Sequence, residues 1–167
     1  DEAPEPVLDR LRGDVGATAV TIVAAAPAMS TLRTRSVDPR VLHCDGGLLM
    51  SPDESRYDAS RLRPLPASRV KARESFDAAA EAAAYQGLHI RAQVSAAATG
   101  RLALRHKAAA AKNVFGSPSQ FSLCLANPDV RAYLLALCAD LRQRCRLAAL
   151  VLTDFELRWT DAVNGRL

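Results

Sequence analysis

Two carboxylic acids and the only tryptophan follow directly on an apolar run in Leu147-Ala-Ala-Leu-Val-Leu-Thr-Asp154-Phe155-Glu156-Leu-Arg-Trp159. A run of this kind reads as a strand, and in α/β proteins sites form at the C-terminal ends of parallel strands. Asp154 and Glu156, at i and i+2, leave a strand in the same direction, about 6.6 Å apart along it. Displacement at a glycosidic carbon uses two carboxyl groups about 5–5.5 Å apart for retention, or about 6.5–9.5 Å apart for inversion. Spacing therefore permits Asp154 and Glu156 as a catalytic pair. Beside Leu150, Leu152 and Phe155, one acid would have a raised pKa and serve as a general acid. The two acids of a pair must approach the sugar from opposite sides, so one strand supplies at most half of such a site. The plainer alternative is two solvated acids that pair with Arg158 or Arg146. Trp159 offers an indole face to pyranose C–H groups, or else covers the end of the fold.

Other residues carry weaker signals. His43 and Asp45 flank a turn-like Cys44-Asp45-Gly46. A His–carboxylate pair can orient a ring for acid/base work, but only if both residues stay in strand geometry. Asn113, in Asn113-Val-Phe-Gly-Ser-Pro118, could bind a sugar hydroxyl or fix its own turn. Arg91 stands inside an apolar strand, where a buried charge needs a partner. These residues, with Trp159, form the candidate substrate-binding set. Three scattered histidines without H-x-H or H-E-x-x-H predict no metal, and no cofactor motif appears. The turn after the first strand, Ala24-Ala-Ala-Pro27-Ala-Met-Ser30, lacks the glycines that a dinucleotide needs. All three lysines, Lys71, Lys107 and Lys112, lie off the expected strands, which disfavours Schiff-base chemistry.

The elements that would position these residues follow from periodicity. Residues 4–12 predict a short helix stopped by Gly13. Residues 17–25 are β-branched and nearly all apolar, as in a strand buried on both faces. A long connection, residues 26–74, holds Arg40–His43 and Gly47–Met50 around Asp45-Gly46, a hairpin signal. Ser75 reads as an N-cap to a helix whose stripe is Phe76, Ala79, Ala80, Ala83 and Ala84, with Gly87 as its stop. Residues 88–94 are the second strand. Residues 105–112 predict a short helix. Asn127-Pro128-Asp129 starts a long helix: Asn caps it, Pro sits at N1, and the acid meets the positive end. Residues 147–155 are the third strand.

Strand, helix, strand, helix, strand specifies neighbouring parallel strands with right-handed crossovers. The expected fold class is α/β: a partial (β/α)8, TIM-barrel-like arrangement of about three parallel strands with crossover helices and a β-hairpin insertion. Residues 1–167 are expected to form a single domain. A full barrel takes about 250 residues, so the expectation is the N-terminal segment of one. Its open sheet edge would be free to pair with a second copy.

Composition narrows the partners. The net charge is +4 and 19 of the 22 basic residues are Arg, while the cluster Arg61, Arg63, Arg69, Lys71 and Arg73 has no interleaved aromatics. That predicts no nucleic-acid partner. No apolar run reaches the ~20 residues of a membrane span, and Cys44, Cys124, Cys138 and Cys145 form no C-x-x-C pair. The expected location is the cytoplasm, with free thiols.

Four pieces resemble a group of actinobacterial glycoside-hydrolase-like (β/α)8-barrel proteins whose activity is not established. They are Val41-Leu-His-Cys-Asp-Gly-Gly-Leu-Leu, Lys112-Asn-Val-Phe-Gly, Ser122-Leu-Cys-Leu-Ala-Asn-Pro-Asp-Val-Arg-Ala-Tyr133, and the strand tip at Asp154. The likeness spans about residues 17–156. It implies longer relatives with further strands beyond Leu167, and polar residues at the ends of the first two strands. This chain has Ala25-Ala26-Pro27 and Ala96-Ala97-Ala98 there. The expected function is binding of a carbohydrate, or another small polar ligand; glycosidic-bond hydrolysis is the reaction that the resemblance implies, and the alanines at the first two strand ends weigh against it. The alternative is a non-catalytic, degenerate or truncated barrel serving as an interaction or structural module.

Overall fold

The computed structural model describes residues 4–33, 40–68 and 74–155. Helix α1 (Pro4–Gly13) leads into a long strand, β1 (Ala19–Arg33), which turns back as β2 (Arg40–Leu48). A 3-10 turn (Glu54–Tyr57), helix α2 (Ser75–Tyr85) and strand β3 (His89–Ser95) follow. Then come α3 (Gly100–Arg105), the short pair β4 (Ala110–Lys112) and β5 (Pro118–Leu123), α4 (Pro128–Arg144) and β6 (Leu147–Thr153).

The main sheet has the order β2-β1-β3-β6. β1, β3 and β6 are parallel neighbours, and β2 pairs antiparallel with β1. The fold is mixed α/β with a mostly parallel four-stranded sheet. The described residues form no closed barrel, because β2 and β6 remain as edges.

β1 does two jobs along its length. Its first half, Ala19 to Ala25, pairs with β3, and its second half, Ala25 to Arg33, pairs with β2. The hairpin is therefore real, but it does not turn at Cys44-Asp45-Gly46 as expected. β2 runs straight through that tripeptide. Gly46 (φ 77) and Gly47 (φ 128) use their freedom inside the strand instead. At Gly47 the reason is a close approach: a Cβ would lie 2.8 Å from the Leu65 carbonyl oxygen. Without one, Leu65–Ala67 lies beside β2 as a strap, held by Leu48 N to Leu65 O at 3.0 Å and Ala67 N to Leu48 O at 2.8 Å.

Directly opposed residues share a sheet face. Ile22, Ala92 and Leu150 line up on one face, and Val23, Gln93 and Val151 on the other. The first face carries the core. Ile90, Ala92 and Val94 cluster there with Phe76, Ala80 and Ala83 of α2 and with Val130, Leu137 and Leu141 of α4. Small alanines let α2 lie close. The expected stripe shifts slightly, since Ala84 is exposed and Ala82 is buried. The opposite face exposes Thr21, Arg91 and Ala149. Continuous apolarity predicted strands covered on both faces, but only one face is covered among the described residues.

Helix ends follow local chemistry with two exceptions. Asn127 caps α4 by accepting from Asp129 N at 2.9 Å, with Pro128 in the first turn. Gly87 (φ 67) follows the C-cap of α2. Ser75, however, is the first helical residue, and Glu74 at the N-cap makes no side-chain capping bond. The helix expected over 105–112 is displaced to Gly100–Arg105, and Ala110–Lys112 is a strand paired with β5. No helix among the described residues is long and apolar enough to cross a membrane.

Candidate functional site

The C-terminal ends of the parallel neighbours β3 and β6 meet around Asp154. Ala96 N donates to the Thr153 carbonyl at 2.9 Å, Ala97 N to the Asp154 carbonyl at 3.2 Å, and Leu123 N to the Ala97 carbonyl at 2.9 Å. These bonds stitch the tip of β3 to the tip of β6 on one side and to β5 on the other. Residues 95–100 are all buried in consequence.

Asp154 is the one described non-glycine residue with positive φ, at 57°. Left-handed backbone costs an L-residue about 1–2 kcal/mol, least for Asn and Asp, and such strain concentrates at functional sites. The side chain is half-buried. Thr153 Oγ1 donates to Asp154 Oδ2 at 3.0 Å and so orients the carboxylate.

Near the tips lies a small void of about 10 Å³, bordered by Ser95, Thr99, Arg101, Gly47, Leu65 and Tyr133. That is about one water-sized probe. Thr99 Oγ1 is fully buried without a hydrogen-bond partner, as is Ser122 Oγ of β5. Arg101 Nη1 donates to the Pro66 carbonyl at 2.7 Å and clamps the strap over this region. Arg101 did not stand out in the sequence, because its partner Pro66 lies in a distant segment that local periodicity does not reveal.

The expected site residues are not all brought together. Asp154 sits at the strand tip as anticipated. Glu156 and Trp159, with Arg158, lie outside the described residues. His43 and Asp45 both fall within β2, opposite Ser30 and Ala28 by backbone register, so Asp45 is in the strand and not in a turn. Arg91 is exposed on the uncovered face, and no partner for it is found among the described residues. It was expected to need a buried carboxylate; exposure removes that need. Asn113 fixes its own turn: its Oδ1 accepts from Phe115 N at 3.0 Å and Ser117 N at 2.9 Å, closing the β4–β5 hairpin.

A second acid was missed. Asp140 of α4 is 2% exposed. Its carboxylate accepts from Asp53 N at 3.0 Å, Tyr57 OH at 3.4 Å and Arg144 Nε at 3.0 Å. Arg144 continues to Asp77 at 3.3 Å and to the Ser51 carbonyl. Burial, reinforced by Tyr133 and Asp140, pushes the Tyr57 hydroxyl far above its ordinary pKa, and burial does the same to Tyr133. The signal was present: Asp140 stands three residues after Leu137, on the buried face of the helix.

The opposite end of the sheet is open. A groove of about 900 Å³ runs between α2 and the start of β6, bordered by Asp77, Glu81, His89, Cys145 and Arg146. Burial raises the Cys145 thiol, with Asp77 adding to the effect and Arg144 opposing it. Volume alone favours this groove over the strand tips. However, it lies at the N-terminal ends of β3 and β6, where α/β folds do not place catalytic groups. Among the described residues, no three His, Cys, Asp or Glu side chains gather as a metal site.

Comparison of the chain with protein-family models, with curated proteins and with solved structures finds no match.

Proposed function

We propose that the chain is a glycoside-hydrolase-like segment of a (β/α)8 barrel that binds carbohydrate at the C-terminal ends of β1, β3 and β6. The observation that carries this reading is Asp154: a half-buried carboxylate, oriented by Thr153, on strained backbone at the tip of a parallel strand. Three parallel neighbours in chain order, each reached through a helix, agree with the start of a barrel. Thr21, Arg91 and Gln93 lie on the face that a barrel turns inward, and their polar groups suit sugar hydroxyls. In hydrolysis Asp154 would act as proton donor or charge stabiliser, with its counterpart on another strand.

Calorimetric titration of a glycan panel into the chain tests the proposal. Binding of at least one glycan is expected, weakened roughly ten-fold in Asp154→Asn through loss of a charge-assisted hydrogen bond. No binding by any glycan, or unchanged affinity in the variant, overturns it.

A second reading, a non-catalytic interaction module, has its own support. Ala25 and Ala26, where β1 leaves its pairing with β3, and Ala96, Ala97 and Ala98, just beyond β3, are all buried. Glycan binding without turnover of chromogenic aryl glycosides favours this module over the hydrolase. The described free thiols, Cys124, Cys138 and Cys145, suit a reducing compartment such as the cytoplasm.

A further inference from the structure

Charge is unevenly spread along the chain. The stretch from Ala82 to Pro128 holds no aspartate or glutamate, although an even spread of the 18 acids would put about five there. Its charged residues are Arg91, Arg101, Arg105, Lys107 and Lys112, all basic. The last four belong to α3, the β4–β5 hairpin and the turn between them, and that hairpin is a sheet separate from the main one. Arg105, Lys107 and Lys112 are exposed and form no ion pair with a described residue. At the apex of the hairpin two large apolar side chains stand in solvent: Val114 is 93% exposed and Phe115 88%. The apex is an ordered turn. Asn113 Oδ1 accepts from Phe115 N and Ser117 N, Asn113 N donates to the Ser117 carbonyl at 3.0 Å, and Gly116 supplies the positive φ, 81°, that the turn requires. No residue from Asn113 to Ser119 is charged, and Lys112 stands at the shoulder. Because the apex is the turn of a separate hairpin, a strand added to either edge of the main sheet does not pair with it.

We propose that this hairpin docks the protein on an anionic lipid surface. Val114 and Phe115 enter the interface, Lys112 meets the headgroups, and Arg105 and Lys107 add to a field of one sign. An apolar apex with cations set back from it matches the layering of that interface, in which anionic headgroups lie outside the acyl chains. Burial in the acyl boundary also recovers the free energy that two ordered, water-exposed apolar side chains forgo. Other partners fit less well. Nucleic acid is held by aromatic faces interleaved with cations, and Val114 offers no such face. Two copies meeting apex to apex would set Lys112 against Lys112, with no acid in either hairpin to offset the repulsion. Two inserted side chains and a few cations give a weak, reversible association.

Flotation of the full 167-residue chain with vesicles, without glycan, tests this separately from the carbohydrate reading. The vesicles are phosphatidylcholine alone, or phosphatidylcholine with about one-third phosphatidylglycerol. Binding to the anionic vesicles is expected, with little to the neutral ones, and it should weaken as salt is raised. Val114→Ser and Phe115→Ser should each lower vesicle affinity about ten-fold, and Lys112→Gln about five-fold. All three positions are exposed, so circular dichroism should show an unchanged fold. Phe115→Trp gives a second readout: the emission of that variant, less the parent signal from Trp159, should shift to the blue with anionic vesicles only. No binding at about millimolar anionic lipid, binding indifferent to the apex variants, or an emission that does not shift would overturn the proposal. Equal binding to single-stranded DNA, lost in Lys112→Gln but not in Val114→Ser, would overturn it in favour of nucleic acid. Self-association in solution that Phe115→Ser abolishes would overturn it in favour of a second copy.

Discussion

Asp140 and Asp154 are fourteen positions apart and belong to different worlds. Asp140 is 2% exposed and takes three donors, from Asp53 N, Tyr57 OH and Arg144 Nε. It ties the 3-10 turn to α4 and through Arg144 to α2. Asp154 is half-buried, sits at a strand tip, and holds left-handed backbone. A buried, fully partnered acid stabilises its surroundings; a partly exposed acid on strained backbone is maintained at a cost to stability. The difference separates an acid that ties three elements together from an acid held at a strand tip at a cost to the backbone.

The largest effect should come from Asp140→Ala. Removing one partner of a buried ion pair costs about 3 kcal/mol or more, which corresponds to a midpoint lowered by roughly 6–12 °C. Thermal unfolding checks this, and a loss below about 1 kcal/mol would erase the contrast. Arg144→Ala comes next, at about 2 kcal/mol, because Arg144 is 23% exposed and water compensates in part. Denaturant titration measures it.

Alkaline pH probes the same region. Tyr133 holds its proton more tightly folded than unfolded, so the unfolded chain releases a proton first as pH rises. Stability is therefore unaffected by this group below pH 10.0 and falls above it. Tyr133→Phe should flatten that fall, read as unfolding free energy between about pH 9 and 11, and an unchanged slope contradicts the assignment. The smallest effect belongs to Asp154→Gly. Relief of left-handed strain should leave stability within about 0.5 kcal/mol of the parent or raise it slightly. Glycan affinity should fall at the same time. A stability loss above about 1 kcal/mol would move Asp154 into the structural class with Asp140.

Much of the architecture was legible because its signals are local. The apolar runs at 17–25, 88–94 and 147–155 became parallel neighbours, and Asn127-Pro128-Asp129 started α4 through a capping bond confined to three residues. Asp45-Gly46 misled because a turn signal reports backbone permissiveness, not position. Here the permissiveness serves the approach of Leu65 to Gly47, a contact between segments far apart in sequence. The helix expected at 105–112 failed for a similar reason: Ala110–Lys112 finds its partner in β5, and pairing overrides weak helical propensity. Arg91 misled through the assumption that an apolar strand is buried on both faces.

What the residues determined by themselves is the alternation of strands and helices, the helix caps, and the presence of an acid at the end of the third parallel strand. Those depend on spacing, propensity and bonds within a turn or two. Only the tertiary structure decided that β1 serves two partners, that Asp140 is buried while Asp154 is only half-buried, and that Thr99 and Arg101 lie near the strand tips. Each of these depends on which distant segment arrives at a given surface, and long-range pairing leaves no periodic trace in the chain.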